Sequence, residues 1–244
     1  MGTLLDAATG SRLISCGVDP TRAALDGAEV LLALHDDDRS AGAQWLTAAT
    51  FSATEHEALR EAIVLACSFD LPVMASLGPY GSPSELRARA ELCLKHGAQL
   101  IALETFIDDE RLCEVLRSMR GLPTLASYCP LGNTPHAAER FLEAGASSIG
   151  VNCGDDLEGL VDAAIALVPL GANVVMRPSA GVPNEEGEHA AIPFAFAEAL
   201  RRGWDAGVHA AGGCCGVQAT HLRAAEAVRV ERYKRSMVTP GGAS

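Results

Sequence analysis

Lysine is almost missing from this sequence: there are two, Lys95 and Lys234, and neither closes a strand-like run. That placement excludes an aldolase working through a lysine Schiff base. Basic residues form no cluster before the last turn of the chain, and acidic residues outnumber them 31 to 19, which argues against nucleic acid or an anionic membrane as a partner. Apolar stretches stop short of the roughly 18 residues needed to span a bilayer. The opening MGTLLDAATGSRL lacks a basic region followed by an apolar core, so a cytoplasmic protein is expected. GxSxG and Walker loops are absent, and no GxGxxG turn follows the first apolar run, which removes three common catalytic or nucleotide-binding signatures. What is present is a chain of 244 residues, 48% of them hydrophobic, with a net charge of −12 and a mean hydropathy of +0.15. Such a chain has the apolar side chain to bury a core. It also has eight cysteines, which in a reduced compartment are candidates for metal binding or catalysis wherever they cluster.

Short β-rich runs recur along the chain, at Leu4–Ala7, Trp45–Ala49, Val73–Leu77, Leu100–Glu104, Thr124–Tyr128, Ser148–Asn152, Asn173–Arg177 and Val208–Gly212. Each is followed by a stretch with helical spacing, and the repeat averages about 30 residues, the size of a strand plus its crossover helix. In GSPSELRARAELCLKHGAQ, Ser84 is the expected helix cap and Gly97 the expected stop; Gly145 closes TPHAAERFLEAGASS in the same way. Runs such as LIALE and SIGVN are apolar throughout, as parallel strands buried on both faces require. The expected fold is therefore α/β, a (β/α)₈ TIM barrel in one domain over residues 1–232, with a flexible tail over 233–244. An open doubly wound sheet is the less suitable alternative, because functional-looking residues follow many strands and not a single switch point.

Active-site residues of a barrel sit at the C-terminal ends of its strands. Asp6 ends the first run, Glu104 the fourth and Asn152 with Cys153 the sixth, while the eighth enters GGCCG. Cys153, Cys214 and Cys215 therefore converge on one rim. Three thiolates there suit Zn²⁺ in a site with one position open, the pattern of a catalytic zinc; the alternative is that adjacent cysteines are small buried hydrophobes. The other five, Cys16, Cys67, Cys93, Cys113 and Cys129, are expected to pack. Asp6 and Glu104 fit acid/base groups, a clamp for a substrate ammonium, or ion-pair partners. Free amides in the AATG turn would suit a carboxylate. His209 is expected inside strand eight as an interior residue, and His189 lies in a polar loop as a ligand or a solvated side chain.

The segments LLDAATGSRL, LTAATFSAT, ASLGPYG, LIALETF, SIGVNCG, VVMRPSAG and AAGGCCGVQATHLRAAEAV resemble the successive motifs of the homocysteine S-methyltransferases, from about Thr3 to Val228. The resemblance implies a zinc-dependent barrel that methylates the thiol of homocysteine to give methionine. It implies Cys153, Cys214 and Cys215 as zinc ligands, and Asp6 and Glu104 as catalytic groups holding the acceptor's amino group. Ala7, Ala8 and Thr9 would receive its carboxylate, and Ser76 lies with them among the substrate-binding residues. Departures from the family's pattern are Ala7 for glycine, Ala48, Ala49 and Thr50 for a Thr-Asn-Thr run, and Ser179 for an asparagine. Loops after strands two and three are short. They imply an open mouth and a bulky methyl donor, a methylcorrinoid or methylfolate held by a partner protein. Other readings are a different thiol or selenol acceptor, and a zinc-binding regulatory barrel without catalysis.

Overall fold

A strand buried on both faces has to be apolar along its length, and the runs that meet this condition are the ones that pair. The computed structural model describes residues 2–129, 134–154, 156–182, 184 and 189–238. In chain order the elements are β1 (Thr3–Leu4), α1 (Thr9–Ser15), α2 (Ala23–Asp26), α3 (Ala28–Ser40), β2 (Leu46–Ala48), α4 (His56–Cys67), β3 (Val73–Leu77), α5 (Pro83–Lys95) and β4 (Leu100–Phe106). They continue as α6 (Asp109–Ser118), β5 (Thr124–Tyr128), α7 (Thr134–Ala144), β6 (Ser148–Cys153), α8 (Leu157–Leu167), β7 (Asn173–Pro178), α9 (Pro193–Ala206), β8 (Ala210–Ala211) and α10 (Ala219–Val238). The eight strands form one parallel sheet in the order β1-β8-β7-β6-β5-β4-β3-β2. A parallel bridge between Leu5 and Trp45 links the two outer strands, and the Gln44 amide donates to the Leu4 carbonyl at 2.8 Å. The sheet is thus curled, with helices outside it, in a TIM-barrel-like α/β arrangement.

Two apolar clusters follow from that curl. Met74, Ala102, Leu125 and Val175 from four strands form a small cluster with the bridge residue Leu5. The larger one lies between sheet and helices and includes Leu59, Ile63, Leu103, Phe141, Phe196 and Trp204.

Several local expectations need correction. Helix α5 is capped by Ser82, not Ser84: Pro83 takes the first helical position and Glu85 completes a capping box with Ser82, an arrangement that satisfies two amides at once. β4 runs on to Phe106 through an irregularity between Leu103 and Phe106, so Glu104 lies within the strand. His209 precedes β8 and is exposed, and Cys16 is exposed at the end of α1, so neither is an interior packing residue. Helix α10 continues to Val238, beyond Tyr233, where the tail was expected to loosen; residues 239–244 lie outside the described residues. Gly97 and Gly145 do follow α5 and α7, with φ of 117° each.

Close approach of β8 to β1 depends on Gly212, where an added Cβ would lie 2.6 Å from Leu5 Cβ and 2.8 Å from the Asp6 carbonyl oxygen. Gly212→Ala is expected to cost about 1–3 kcal/mol through overpacking against backbone, measured by urea denaturation. A loss below a few tenths of a kilocalorie would mean that the two strands have room to separate.

Candidate metal centre

Cys153 ends β6 with φ 62°, and Gly154 follows at φ 83°. Two successive left-handed residues turn the chain sharply at the strand end, a conformation that costs a non-glycine residue about 1 kcal/mol or more. The opposite side of the cluster comes from the turn after β8. It is pinned by the Gly213 amide on the Asp6 carbonyl at 2.9 Å, the Cys214 amide on the Pro178 carbonyl at 2.8 Å, and the Ala180 amide on the Cys215 carbonyl at 2.8 Å. The result brings the three predicted thiols together. Cys153 Sγ lies 2.9 Å from Cys214 Sγ, and all three sulfurs lie within 4.8 Å of one another.

Three thiols this close cannot all ionise unaided, since each thiolate raises the cost of the next. Hydrogen bonding from Cys153, then Cys214, pulls the Cys215 thiol down to about 3. Cys214 is held down by Cys153 but raised more by Cys215 and burial, to about 11, and Cys153 is pushed up by its hydrogen bonds to Cys214 and Cys215. The three thiols therefore share their protons, with Cys215 shifted down and Cys153 and Cys214 shifted up. A soft cation is the partner this donor set suits: it would favour thiolate over thiol at each sulfur, and zinc is among the metals that sulfur ligands select.

Neighbouring groups support the sulfurs. The Asn152 amide nitrogen donates to Thr105 Oγ1 at 3.2 Å and to Cys153 Sγ at 3.4 Å, and Ser127 donates to Asn152 Oδ1 at 2.9 Å. Ser179 donates its hydroxyl to the Gly154 carbonyl, so it serves the turn beside Cys153. His189 bonds the Gly181 carbonyl at 2.6 Å and is not in the cluster.

Beneath the thiols lies a charge cluster whose centre the sequence reading missed. Arg177, on β7, is buried. Its Nε donates to the Gly213 carbonyl at 3.1 Å, and its terminal nitrogens donate to Thr47 Oγ1 at 2.7 Å and to Asp6 Oδ1 at 3.0 Å. Asp6 has no exposed surface; its Oδ1 also accepts from Thr47 Oγ1 at 2.7 Å and its Oδ2 from the Thr47 amide. Glu104 retains 12% of its side-chain surface, accepts from Ser76 through Oε2, and places Oε1 3.8 Å from Arg177. Burial pushes the Glu104 carboxyl up, Arg177 pulls it back, and Cys214 adds to the rise. Burial opposes the charge on Arg177, while Asp6 and Glu104 more than restore it. The Ala7 amide is engaged by Asp38, whose carboxylate meets Arg12 at 2.7 Å through both oxygens. Ala8 precedes α1 and Thr9 opens it. A charged side chain inside the apolar run NVVMRP was the available signal for Arg177, because a buried arginine has to find partners.

The family model of homocysteine S-methyltransferase matches residues 1–228. The chain belongs to the homocysteine S-methyltransferase family. For this family member no curated protein matches. Its fold is similar to the homocysteine methyltransferase MmuM from Escherichia coli, in the apo form at TM-score 0.75 and 21% identity over 93% of this chain and 95% of that one. The metallated form of MmuM gives the same score and identity over 93% and 96%. Oxaloacetate acetylhydrolase with its product oxalate is more distant, at TM-score 0.57 and 13% identity over 87% and 83%. These likenesses show the fold.

Two outcomes follow from the geometry. In chelator-treated protein below the ordinary thiol range, iodoacetamide should label Cys215, the thiol that its neighbours shift down, ahead of the exposed Cys16 by peptide mass mapping; equal labelling of the two would contradict this. Arg177→Met should cost about 3–5 kcal/mol by leaving Asp6 buried and unpaired, and Asp6→Asn/Arg177→Met should cost markedly less, both read from denaturant melts.

Proposed function

We propose that this protein is a zinc-dependent methyltransferase that moves a methyl group onto the thiol of homocysteine, with Cys153, Cys214 and Cys215 as the protein ligands of the metal. The observation that carries the reading is the meeting of three thiols at the sheet's C-terminal end in a member of this family. When bound, zinc supplies the Lewis acidity that makes a thiol of pKa about 8.5 available as thiolate at neutral pH. The chain's own residues do the positioning. Asn152 orients Cys153, Glu104 faces the thiols from β4 with Ser76 fixing its second oxygen, and Asp6 acts through Arg177 and Thr47. The Ala8–Thr9 turn is the proposed contact for the acceptor's carboxylate. In the transfer the acceptor sulfur forms the new bond to the methyl carbon. The donor's bond to that carbon breaks with its electron pair staying on the donor, and the thiol proton leaves to solvent. Holding both reactants turns a bimolecular displacement into a step between oriented partners.

A methylcorrinoid or methylfolate presented by a separate protein completes the proposal. The connections after β2 and β3 are only residues 49–55 and 78–82, and apolar side chains stand exposed on segments following strands: Tyr80, Ile107, Val182 and Phe194. The closed single-domain barrel over 1–232 belongs to the same reading, supported by the Leu5–Trp45 bridge, and so does a cytoplasmic setting that keeps the thiols reduced. No helix among the described residues is long and apolar enough to cross a membrane.

The test is metal analysis with thiol binding. Purified protein should carry about one zinc per chain, lose it in Cys214→Ala, and gain a sulfur neighbour at the zinc absorption edge on adding homocysteine; metal-free protein with unchanged stability in Cys214→Ala removes the proposal. For the donor, turnover should require a methylcorrinoid or methylfolate protein, and robust turnover with free betaine or S-methylmethionine alone would overturn that part.

A further inference from the structure

Strand β4 breaks its alternation where it meets the site. Ala102 belongs to the small apolar cluster, while Leu103 and Phe106 both belong to the larger one, although residues three apart on a regular strand face opposite ways. The register shows the cause. Leu103 pairs with Ala126 and Phe106 with Tyr128, so Glu104 and Thr105 together stand opposite Ser127 as a β-bulge. Thr105 takes up the extra residue at φ 63°, a left-handed backbone that a β-branched side chain rarely adopts. Both side chains of the bulge thereby reach site residues: Glu104 accepts from Ser76 on β3, and Thr105 Oγ1 accepts from Asn152 on β6 at 3.2 Å.

Asn152 is buried, and each of its polar atoms is engaged. Ser127 donates to its Oδ1 at 2.9 Å, which turns the amide nitrogen toward Thr105 and Cys153. That nitrogen carries two hydrogens and makes two contacts, one to Thr105 Oγ1 and one to Cys153 Sγ at 3.4 Å. With the first hydrogen taken by the hydroxyl, the second is aimed at the sulfur. We infer that Thr105 is a positioning residue of the thiol cluster: its hydroxyl, presented by the bulge, fixes the rotation of the Asn152 amide and so directs an N–H at Cys153. The same bulge sets Glu104 next to it, so one backbone irregularity places both the carboxylate and the partner of the sulfur. The consequence for a metal rests on the proposed zinc-dependent transfer, because a group that orients a metal's ligand also sets the metal's affinity.

The test measures zinc affinity, by competition with a chromophoric chelator, in native protein and in Thr105→Ser, Thr105→Val and Thr105→Gly. Valine keeps the shape without the acceptor oxygen, serine keeps the oxygen, and glycine suits the left-handed backbone while losing the oxygen. Affinity should fall about ten-fold or more in Thr105→Val and Thr105→Gly, and Thr105→Ser should stay well inside that loss. Native affinity in Thr105→Val or Thr105→Gly, or a loss in Thr105→Ser as large as theirs, overturns the inference. Should Thr105→Val not fold, Thr105→Gly decides. In metal-free protein the side-chain amide protons of Asn152, identified in nuclear magnetic resonance spectra by their loss in Asn152→Asp, should shift in Thr105→Val and Thr105→Gly and hold in Thr105→Ser; unchanged signals in the first two deny Thr105 the role. If native protein binds no zinc, the methyltransferase reading fails and these amide signals still decide the inference.

Discussion

One buried guanidinium joins the parts of the fold that the site depends on. Arg177 reaches from β7 to Asp6 after β1, to Thr47 on β2 and to Gly213 in the turn after β8. Those are the segments around the sheet's closing bridge, where β1 and β8 are only two residues long. Strands this short provide few backbone hydrogen bonds, so side-chain bonds across them carry weight that longer ladders would otherwise supply. A buried ion pair is costly to form, and its net contribution to stability is small or even unfavourable. Its larger effect is on geometry. With Arg177 fixed to the Gly213 carbonyl and Asp6 accepting the Gly213 amide through its own carbonyl, the residue before Cys214 has one place to be. The position of the thiols on one side of the cluster is therefore set from beneath by a charge pair, while on the other side the left-handed turn at Cys153 and Gly154 sets it from the backbone.

The strands were legible because their burial on both faces forces continuous apolar runs, a constraint visible without knowing what packs against them. The thiol cluster was legible for a similar reason: cysteines placed after two strand-like runs have to share a rim once the runs are parallel. Arg177 was not. Its side-chain partners lie 130 and 171 residues away in sequence, so the apolar run around it can hint at burial but not at what the guanidinium pairs with. Asp6 was singled out as ending the first run, whereas β1 stops at Leu4 and Asp6 is held in its buried place by Thr47 and Arg177. The irregularity that carries β4 past Glu104, with Thr105 at φ 63°, is equally silent, since threonine gives no sign of a left-handed backbone. His35 is a further case. It sits on the amphipathic helix α3 like many surface histidines, yet it is buried with neither ring nitrogen hydrogen-bonded, and burial pushes it down to about 4.

The charges of the two clusters also bear on each other. Glu104 is raised by burial and by Cys214, and Cys214 is held down in part by Arg177. A cation among the sulfurs would relieve the like-charge repulsion that lifts the Glu104 carboxyl, so metal binding and Glu104 ionisation should be linked in the direction of mutual support.

The trimmed rim then has a consequence for chemistry. Methyl transfer to a thiolate is favoured where water is kept from the nucleophile, and barrels commonly achieve this with long loops over the mouth. Here helix α4 begins at residue 56 and α5 at residue 83, within a few residues of the strands they follow, and Cys215 stands exposed. In the proposed reaction the cover must come from what docks there. The exposed Tyr80, Ile107 and Phe194 side chains would gain by burial against such a cover at about 25 cal/mol for each square ångström of apolar surface removed from water. A donor delivered on a protein would thus supply the methyl group and the dry environment together, which links the economy of the loops to the size of the donor.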